Sequence, residues 1–180
     1  MQGKDKISIL IVDDSLTVRE SMLEELRVLG YEVQAVSCVA EAREVLDEKA
    51  FDVLFLDLKL PNVQGLDYLD ELKKEKRDIV VIVMTAYESS GTAVEAIEKG
   101  AHDYVIKPIE PAHFELIIKR ALKRYQLENE KQAAIDKRIQ ALADFMETSR
   151  DVNIEIAELK KEVNSLLVEL GRPVKYKVIN

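Results

Sequence analysis

The 180-residue sequence has no tryptophan, one cysteine, four prolines and six glycines. Its single thiol, Cys38, cannot form an internal disulfide, which excludes a disulfide-stapled scaffold and favours a reducing compartment. No apolar stretch approaches the ~20 residues needed to cross a bilayer. The opening MQGKDKISILIVDD runs from an apolar stretch straight into two acids with no small-residue cleavage site, so a signal peptide is not expected. Positive charge is also in deficit, with 26 Lys plus Arg against 34 Asp plus Glu and a net charge of −8. Phosphate binding needs clustered basic residues, so this balance argues against a nucleic-acid ligand while leaving room for one basic patch. With 47% hydrophobic residues the chain is too apolar to remain unfolded. Its length suits one ordinary domain with something left over.

The charge is unevenly spread. Residues 121–180 hold 11 basic and 10 acidic side chains, whereas the first 120 hold 15 basic against 24 acidic. The acidity therefore belongs to the first part alone.

That first part alternates between two patterns. Apolar, β-branched runs at 7–12 (ISILIV), 53–56 (VLFL) and 79–83 (IVVIV) read as strands buried on both faces, as in a parallel sheet covered by helices. Weaker runs at 32–36 and 104–106 suit edge strands. Between them lie amphipathic stretches marked by Val18, Met22, Leu26 and Leu29; by Ala42, Val45 and Leu46; by Leu66, Leu69 and Leu72; and by Ala93, Ala96 and Ile97. Gly30 and Gly100 stand where helix C-terminal glycines belong, and Pro111 suits the first turn of a fifth helix. The order βαβαβαβαβα predicts a doubly wound α/β sheet, whose ligands bind outside the carboxyl ends of the strands.

At those ends the sequence sets Asp13 and Asp14, then Asp57, then Thr85, then Lys107 followed by Pro108. Gathered carboxylates repel one another unless a cation joins them, and oxygen-only ligands with room for water suit Mg²⁺. A hydroxyl and an ammonium beside them suit a phosphoryl group, for which an ionised Asp is a competent acceptor. Taken singly, each residue has a plainer reading: an Asp after a strand caps helices and forms turns, Thr85 could cap a helix, and Lys107 could be a solvated charge. The combination, at four ends of a five-strand pattern, carries the signal.

These residues and their flanks, ILIVDDS, VLFLDLKLPNVQG, VMTAYES and DYVIKP, resemble the receiver domain of bacterial two-component response regulators. The resemblance covers about residues 6–124 and implies a flavodoxin-like, doubly wound five-stranded parallel sheet. It implies that Asp57 is the phospho-acceptor, served by a phosphohistidine on a sensor histidine kinase or a histidine phosphotransfer protein. It further implies Asp14 and Asp57 as side-chain Mg²⁺ ligands with Asp13 nearby, the Lys59 main-chain carbonyl as a third protein ligand, Thr85 and Lys107 as the phosphoryl-binding pair, and Tyr104 as an aromatic switch. A cis bond at Lys107–Pro108 and a loop shaped by Pro61 and Gly65 also belong to the pattern. Lys59 and Tyr87, two residues beyond Asp57 and Thr85, flank the path of an attacking water and could shield an acyl phosphate. Cys38 reads as a small packing residue, and His102 and His113, with no ligand partner at metal spacing, read as surface or structural. A phosphatase of the haloacid dehalogenase type would need a second acid where Lys59 stands. A flavin site would need a Ser/Thr-Gly-rich loop where Asp13, Asp14 and Ser15 stand.

After Pro111 the strand signals stop. Ile135, Ile139, Leu142 and Met146, then Val152, Ile156, Leu159, Val163, Leu166 and Leu170, form a heptad seam whose phase slips between Met146 and Val152. No Gly or Pro lies between Pro111 and Gly171, so either one helix runs through or two meet near Ser149. Both seam halves are narrow and flanked by charge, which favours an extended, self-associating helix over a hairpin packed on the main domain. Unbroken, it would reach about 90 Å at 1.5 Å per residue. The expected organisation is a receiver over 1–124, a helical, coiled-coil-like extension over 125–170 and a disordered tail over 171–180. The near-neutral tail lacks a helix-turn-helix pattern, so a cytoplasmic homodimer is expected in place of a DNA-binding regulator. No enzyme activity beyond the domain's own phosphorylation and dephosphorylation is expected. A receiver fragment of a hybrid sensor kinase, or a phosphorelay shuttle, is the alternative.

Overall fold

The computed structural model describes residues 6–61, 63–75, 77–86, 90–148 and 153–177, with side chains throughout except at 90, 147, 148 and 153–155. Five strands, β1 (Ser8–Val12), β2 (Glu32–Val36), β3 (Val53–Asp57), β4 (Val80–Thr85) and β5 (Asp103–Ile106), alternate with α1 (Leu16–Val28), α2 (Val39–Glu48), α3 (Gly65–Lys74) and α4 (Ser90–Glu98). A 3₁₀ turn at Pro111–His113 then leads into α5 (Phe114–Thr148), followed by α6 (Asn153–Glu169). All strand pairs are parallel, in the order β2-β1-β3-β4-β5. The expected fold class is therefore the observed one.

The alternation of side chains along each strand builds two cores. Leu10, Val12, Leu54, Leu56, Val81 and Val83 face one way and pack with α2, α3 and α4 residues such as Ala42, Leu69 and Ala96. Ile9, Ile11, Val53, Phe55, Ile82 and Met84 face the other way, against Met22 and Leu26 of α1 and Phe114, Ile118 and Ala121 of α5. Each face alone is too apolar to meet water, so helices must cover both; the continuous apolar runs follow from that. Gly30 and Gly100 close their helices at positive φ, 91° and 105°, which a side chain would strain. Because successive strands are added outward from β1 in both directions, the chain reverses between β1 and β3, opening a crevice at their carboxyl ends.

The molecule divides into two compact units, Met1–Tyr125 and Gln126–Asn180. In the second, the extended rod expected from the heptad seam is not what forms. The second part of α5 and the whole of α6 lie antiparallel, joined by an Arg138–Glu162 ion pair and by Arg172 to Asp136 at 2.7 Å. Along this hairpin, earlier residues on α5 meet later ones on and beyond α6. Val163 and Leu167 are buried, while Ile135, Ile139, Leu142 and Met146 are half-buried. The two seam halves thus find a partner in the same chain, and the described part of α5 past Tyr125 extends only about 35 Å. The phase slip near Ser149 and Val152 lies outside the described residues. The tail expected to be disordered is held through Tyr176. The Asn164 amide donates to Tyr176 O at 2.7 Å and accepts from Lys175 N and Tyr176 N at 3.2 Å. A side chain that satisfies both backbone donors and an acceptor removes the main reason for this segment to stay in water. Among the described residues no helix is long and apolar enough to cross a membrane.

Candidate functional site at the carboxyl ends of the strands

The crevice at the β1/β3 switch point receives the charged residues because the strands end there. Asp13 directly follows β1 and is fully buried. Its Oδ1 accepts from Ser15 N at 2.9 Å, and its main-chain oxygen accepts from Arg19 Nη1 at 2.6 Å. Both contacts fix the turn into α1, which Ser15 caps through its hydroxyl. Asp57 is the last residue of β3, only 6% exposed. Its Oδ1 accepts from Lys59 N at 3.0 Å, and its Oδ2 lies 2.5 Å from Lys107 Nζ. Lys107 Nζ also lies 2.5 Å from Asp13 Oδ2, so one ammonium bridges two buried carboxylates. Asp14 is exposed at the rim, yet its carboxylate joins those of Asp13 and Asp57 in a group of oxygens all within 4.8 Å of one another.

The loop and the neighbouring strands hold this geometry. Leu58 N donates to Met84 O and Gly65 N to Leu58 O, while Lys59 and Gln64 pair across the loop. The loop is so tight at Gly65 that a Cβ there would stand 2.4 Å from Asp57 O and 2.7 Å from Leu58 Cα. Those are backbone atoms that cannot step aside, so a side chain at 65 would push on the acceptor's own peptide. Thr85 ends β4 and is buried; its carbonyl accepts from Lys107 N at 2.7 Å, tying the lysine's backbone to β4. The Lys107–Pro108 peptide bond is cis.

Burial is the largest influence on the Lys107 ammonium and works to lower its pKa; hydrogen bonds to Asp13 and Asp57 and their charges outweigh it, so the net shift is upward. Lys107 therefore stays charged. One lysine does not exhaust the carboxylates: Asp13 Oδ2 is buried and, among the described residues, has the Lys107 ammonium as its one polar contact. A buried carboxylate oxygen with spare lone pairs, grouped with the carboxylates of Asp14 and Asp57, fits a hard divalent cation. Beside the acids a cleft of about 410 Å³ opens, lined by Lys59, Gln64, Thr85, Thr92 and Glu95 among others.

Of the groups singled out in the sequence, the structure brings together Asp13, Asp14, Asp57 and Lys107, with Thr85 joined to Lys107 through the backbone. Tyr104 is half-buried in β5, beside the α2–α4 core. Tyr87 lies outside the described residues. Arg19, Gln64 and Glu95 were not foreseen; polar residues on amphipathic helices and loops carry no periodic signal to separate a site neighbour from a solvated one. Cys38 is the residue just before α2, half-buried and without a side-chain capping hydrogen bond. His113 is exposed beside Glu110.

Comparison with known proteins places this arrangement. Residues 9–119 match the family described as the response regulator receiver domain. A protein of Cyanidium caldarium named "Probable transcriptional regulator ycf27" is 32% identical over 169 residues, covering 94% of this chain and 65% of its own length. The "Transcriptional regulatory protein ZraR" of Klebsiella oxytoca is 36% identical over 123 residues, covering 68% of this chain and 28% of its own. This chain thus spans less than two thirds of either relative. Among solved structures, a CheY-like response regulator receiver domain protein from Methanospirillum hungatei JF-1 superposes with a TM-score of 0.63 at 29% identity, over 69% of this chain and 99% of that one. With a family match across more than half of its residues and the same sheet, this chain belongs to the response regulator receiver domain family.

Proposed function

We propose that the chain is a phosphorylation-dependent signalling protein of a two-component phosphorelay, in which Asp57 accepts a phosphoryl group from a phosphohistidine of a sensor histidine kinase or histidine phosphotransfer protein. The observation that carries this reading is the Lys107 ammonium 2.5 Å from Asp57 Oδ2, beside two further carboxylates. Asp57 is held by Lys59 N and Lys107, so one carboxylate oxygen can attack phosphorus as the P–N bond to histidine breaks and the imidazole leaves. Lys107 then pairs with a phosphoryl oxygen, and the Thr85 hydroxyl is the second donor, at the end of the neighbouring strand. Asp13, Asp14, Asp57 and the Lys59 main-chain carbonyl would hold Mg²⁺, which neutralises charge on the transferring oxygens when bound. The chain's role is acceptance and transmission of the group, not turnover of a separate substrate. The test is transfer from acetyl phosphate in the presence and absence of Mg²⁺, followed by mass spectrometry. Absence of a Mg²⁺-dependent adduct on the 53–65 segment would overturn this reading.

Lys59 is exposed and lines the cleft beside Thr85, which supports a shielding role over the acyl phosphate. Lys59→Ala is expected to shorten the life of phospho-Asp57 by roughly twofold to fivefold, the scale of one lost charge contact near a surface. Phosphate release after removal of the donor measures this, and equal rates in the two proteins would sink it.

Output runs through Tyr104 and α5 to the helical extension of 125–170, and from there to a cytoplasmic homodimer. Leu127, Phe145 and Val168, each at least half exposed on the extension, support self-association. Light scattering with Mg²⁺ and beryllofluoride is expected to report a dimer, and a monomer under every condition would remove this output while leaving the receiver assignment intact. The names of the relatives favour a second reading, in which receiver and extension serve a longer regulator of transcription. The near-neutral charge of 121–180 supports the absence of duplex binding by these residues themselves. Salt-sensitive binding of this chain to duplex DNA would overturn that absence.

A further inference from the structure

The core-facing stripe of α5 runs through Phe114, Ile117, Ile118, Ala121 and Leu122 and ends at Tyr125. One turn later the same stripe continues as Glu128 and Asn129, which have no place in an apolar core. Tyr125 is also the last residue of the first compact unit. It is held there by contacts from two other segments, one a hydrogen bond and one a ring contact. Its hydroxyl donates to Asp78 Oδ1, in the segment just before β4. Its ring meets the His102 ring edge-on, with centroids 5.0 Å apart and planes at 72°. His102, just before β5, is itself fastened to β4: its backbone N–H donates to Val81 O at 2.8 Å, and its Nδ1 accepts from Val81 N at 3.0 Å. An imidazole thus stands in for a backbone acceptor at the start of the β4–β5 ladder.

These contacts lie at the amino ends of β4 and β5. Thr85 ends β4 and Lys107 follows β5 at the opposite, acidic rim, some 15 Å away at the usual rise of a strand. A strand is stiff along its length, so the two strands that carry the phosphoryl-binding pair and Tyr104 are the same two that meet at Tyr125. We propose that Tyr125 is a positioning residue that clamps α5 to the amino ends of β4 and β5, so that displacement of these strands passes into the extension at this point. The inference rests on the phosphorylation reading above for the signal, and on the Asp78 and His102 contacts for the clamp.

Removing one clamp contact leaves the apolar stripe intact, so the receiver keeps its fold. Tyr125→Phe retains the ring against His102 and loses only the hydroxyl, and Asp78→Ala removes the acceptor from the other side. Hydrogen exchange on the full chain, with and without Mg²⁺ and beryllofluoride, reads the result. Amides at 121–125 are expected to exchange roughly threefold to tenfold faster in both variants without ligand, the effect of one lost hydrogen bond on local opening. In the wild type, beryllofluoride should change exchange in 126–148, and each variant should lose most of that change. Protection of 55–60 reports the acceptor site separately in every protein. If 126–148 respond equally in the wild type and both variants, or do not respond in the wild type although 55–60 are protected, the clamp is overturned. If beryllofluoride protects nothing at 55–60, the phosphorylation reading itself falls.

Discussion

An Asp57→Asn protein is expected to take up no phosphoryl group from acetyl phosphate, with a rate at least ~10³-fold below the wild type. The substitution preserves volume at a position only 6% exposed, and its amide oxygen can still accept from Lys59 N. What it removes is the negative charge and the nucleophilic oxygen, since an amide oxygen does not attack phosphorus under these conditions. Mass spectrometry after incubation with Mg²⁺ and donor measures the effect. An adduct persisting on Asp57→Asn at a comparable rate would move the acceptor to Asp13 or Asp14. Geometry already argues against the first: Asp13 is fully buried with one oxygen committed to Ser15 N, whereas Asp57 ends its strand beside the open cleft.

Lys107→Met is expected to have the largest effect on stability. The lysine side chain is 15% exposed and contacts carboxylates of Asp13 and Asp57 that are 0% and 8% exposed. Removing it leaves two buried like charges without their counter-charge, which costs about 3 kcal/mol. For a unit of this size that is a fall in Tm of roughly 10 °C. Mg²⁺ supplies a replacement positive charge, so the deficit should shrink when the ion is added, more for the variant than for the wild type. Thermal denaturation with Mg²⁺ and with a chelator checks both parts; equal Tm values in chelator would show that the ion pairs contribute nothing. A pH scan sharpens the assignment. Because the folded-state pKa of Lys107 is raised against its own burial, the stability from these pairs is fully present below the ordinary lysine value of about 10.4 and is lost as pH rises through the folded value. In chelator, the Tm difference between wild type and Lys107→Met should therefore narrow above about pH 10.5. A difference that is constant through pH 11 would point to packing of the lysine stem instead.

Much of the fold was legible because burial on both faces leaves a mark in one dimension. The strands at 7–12, 53–56 and 79–83 stand out as unbroken apolar runs, and the observed β1, β3 and β4 lie within a residue or two of them. The discrepancies are informative. β3 continues to Asp57 and β4 to Thr85, because the ladder pairs Asp57 with Met84 and Thr85 with Ile106. Backbone hydrogen bonding carries the strand past its last apolar residue, and hydropathy does not register it. The acidic rim was legible for a related reason: strands of one sheet running parallel all end on one side, so polar residues at their ends must converge. Arg19, which reaches the Asp13 carbonyl, was not legible, since its position on α1 suits a solvated residue equally well.

The extension shows where one-dimensional reading stops. A heptad seam states that a helix has an apolar stripe to cover, and how wide the stripe is. It does not state what covers it, because a second chain and a later segment of the same chain offer the same leucines and isoleucines. The extended rod expected from the seam gave way to a hairpin through contacts such as Arg138–Glu162 and Arg172–Asp136, which join residues far apart in sequence. Likewise the tail past Gly171 lacks any local pattern, yet Asn164 holds its backbone through Tyr176. The sequence by itself determined the parallel sheet and the set of charged groups at its rim, since both follow from local pattern and strand direction. Only the tertiary structure decided that one ammonium bridges two buried acids, where α5 is anchored, and which partner the seam takes. Those depend on distances between residues that the chain's order leaves free.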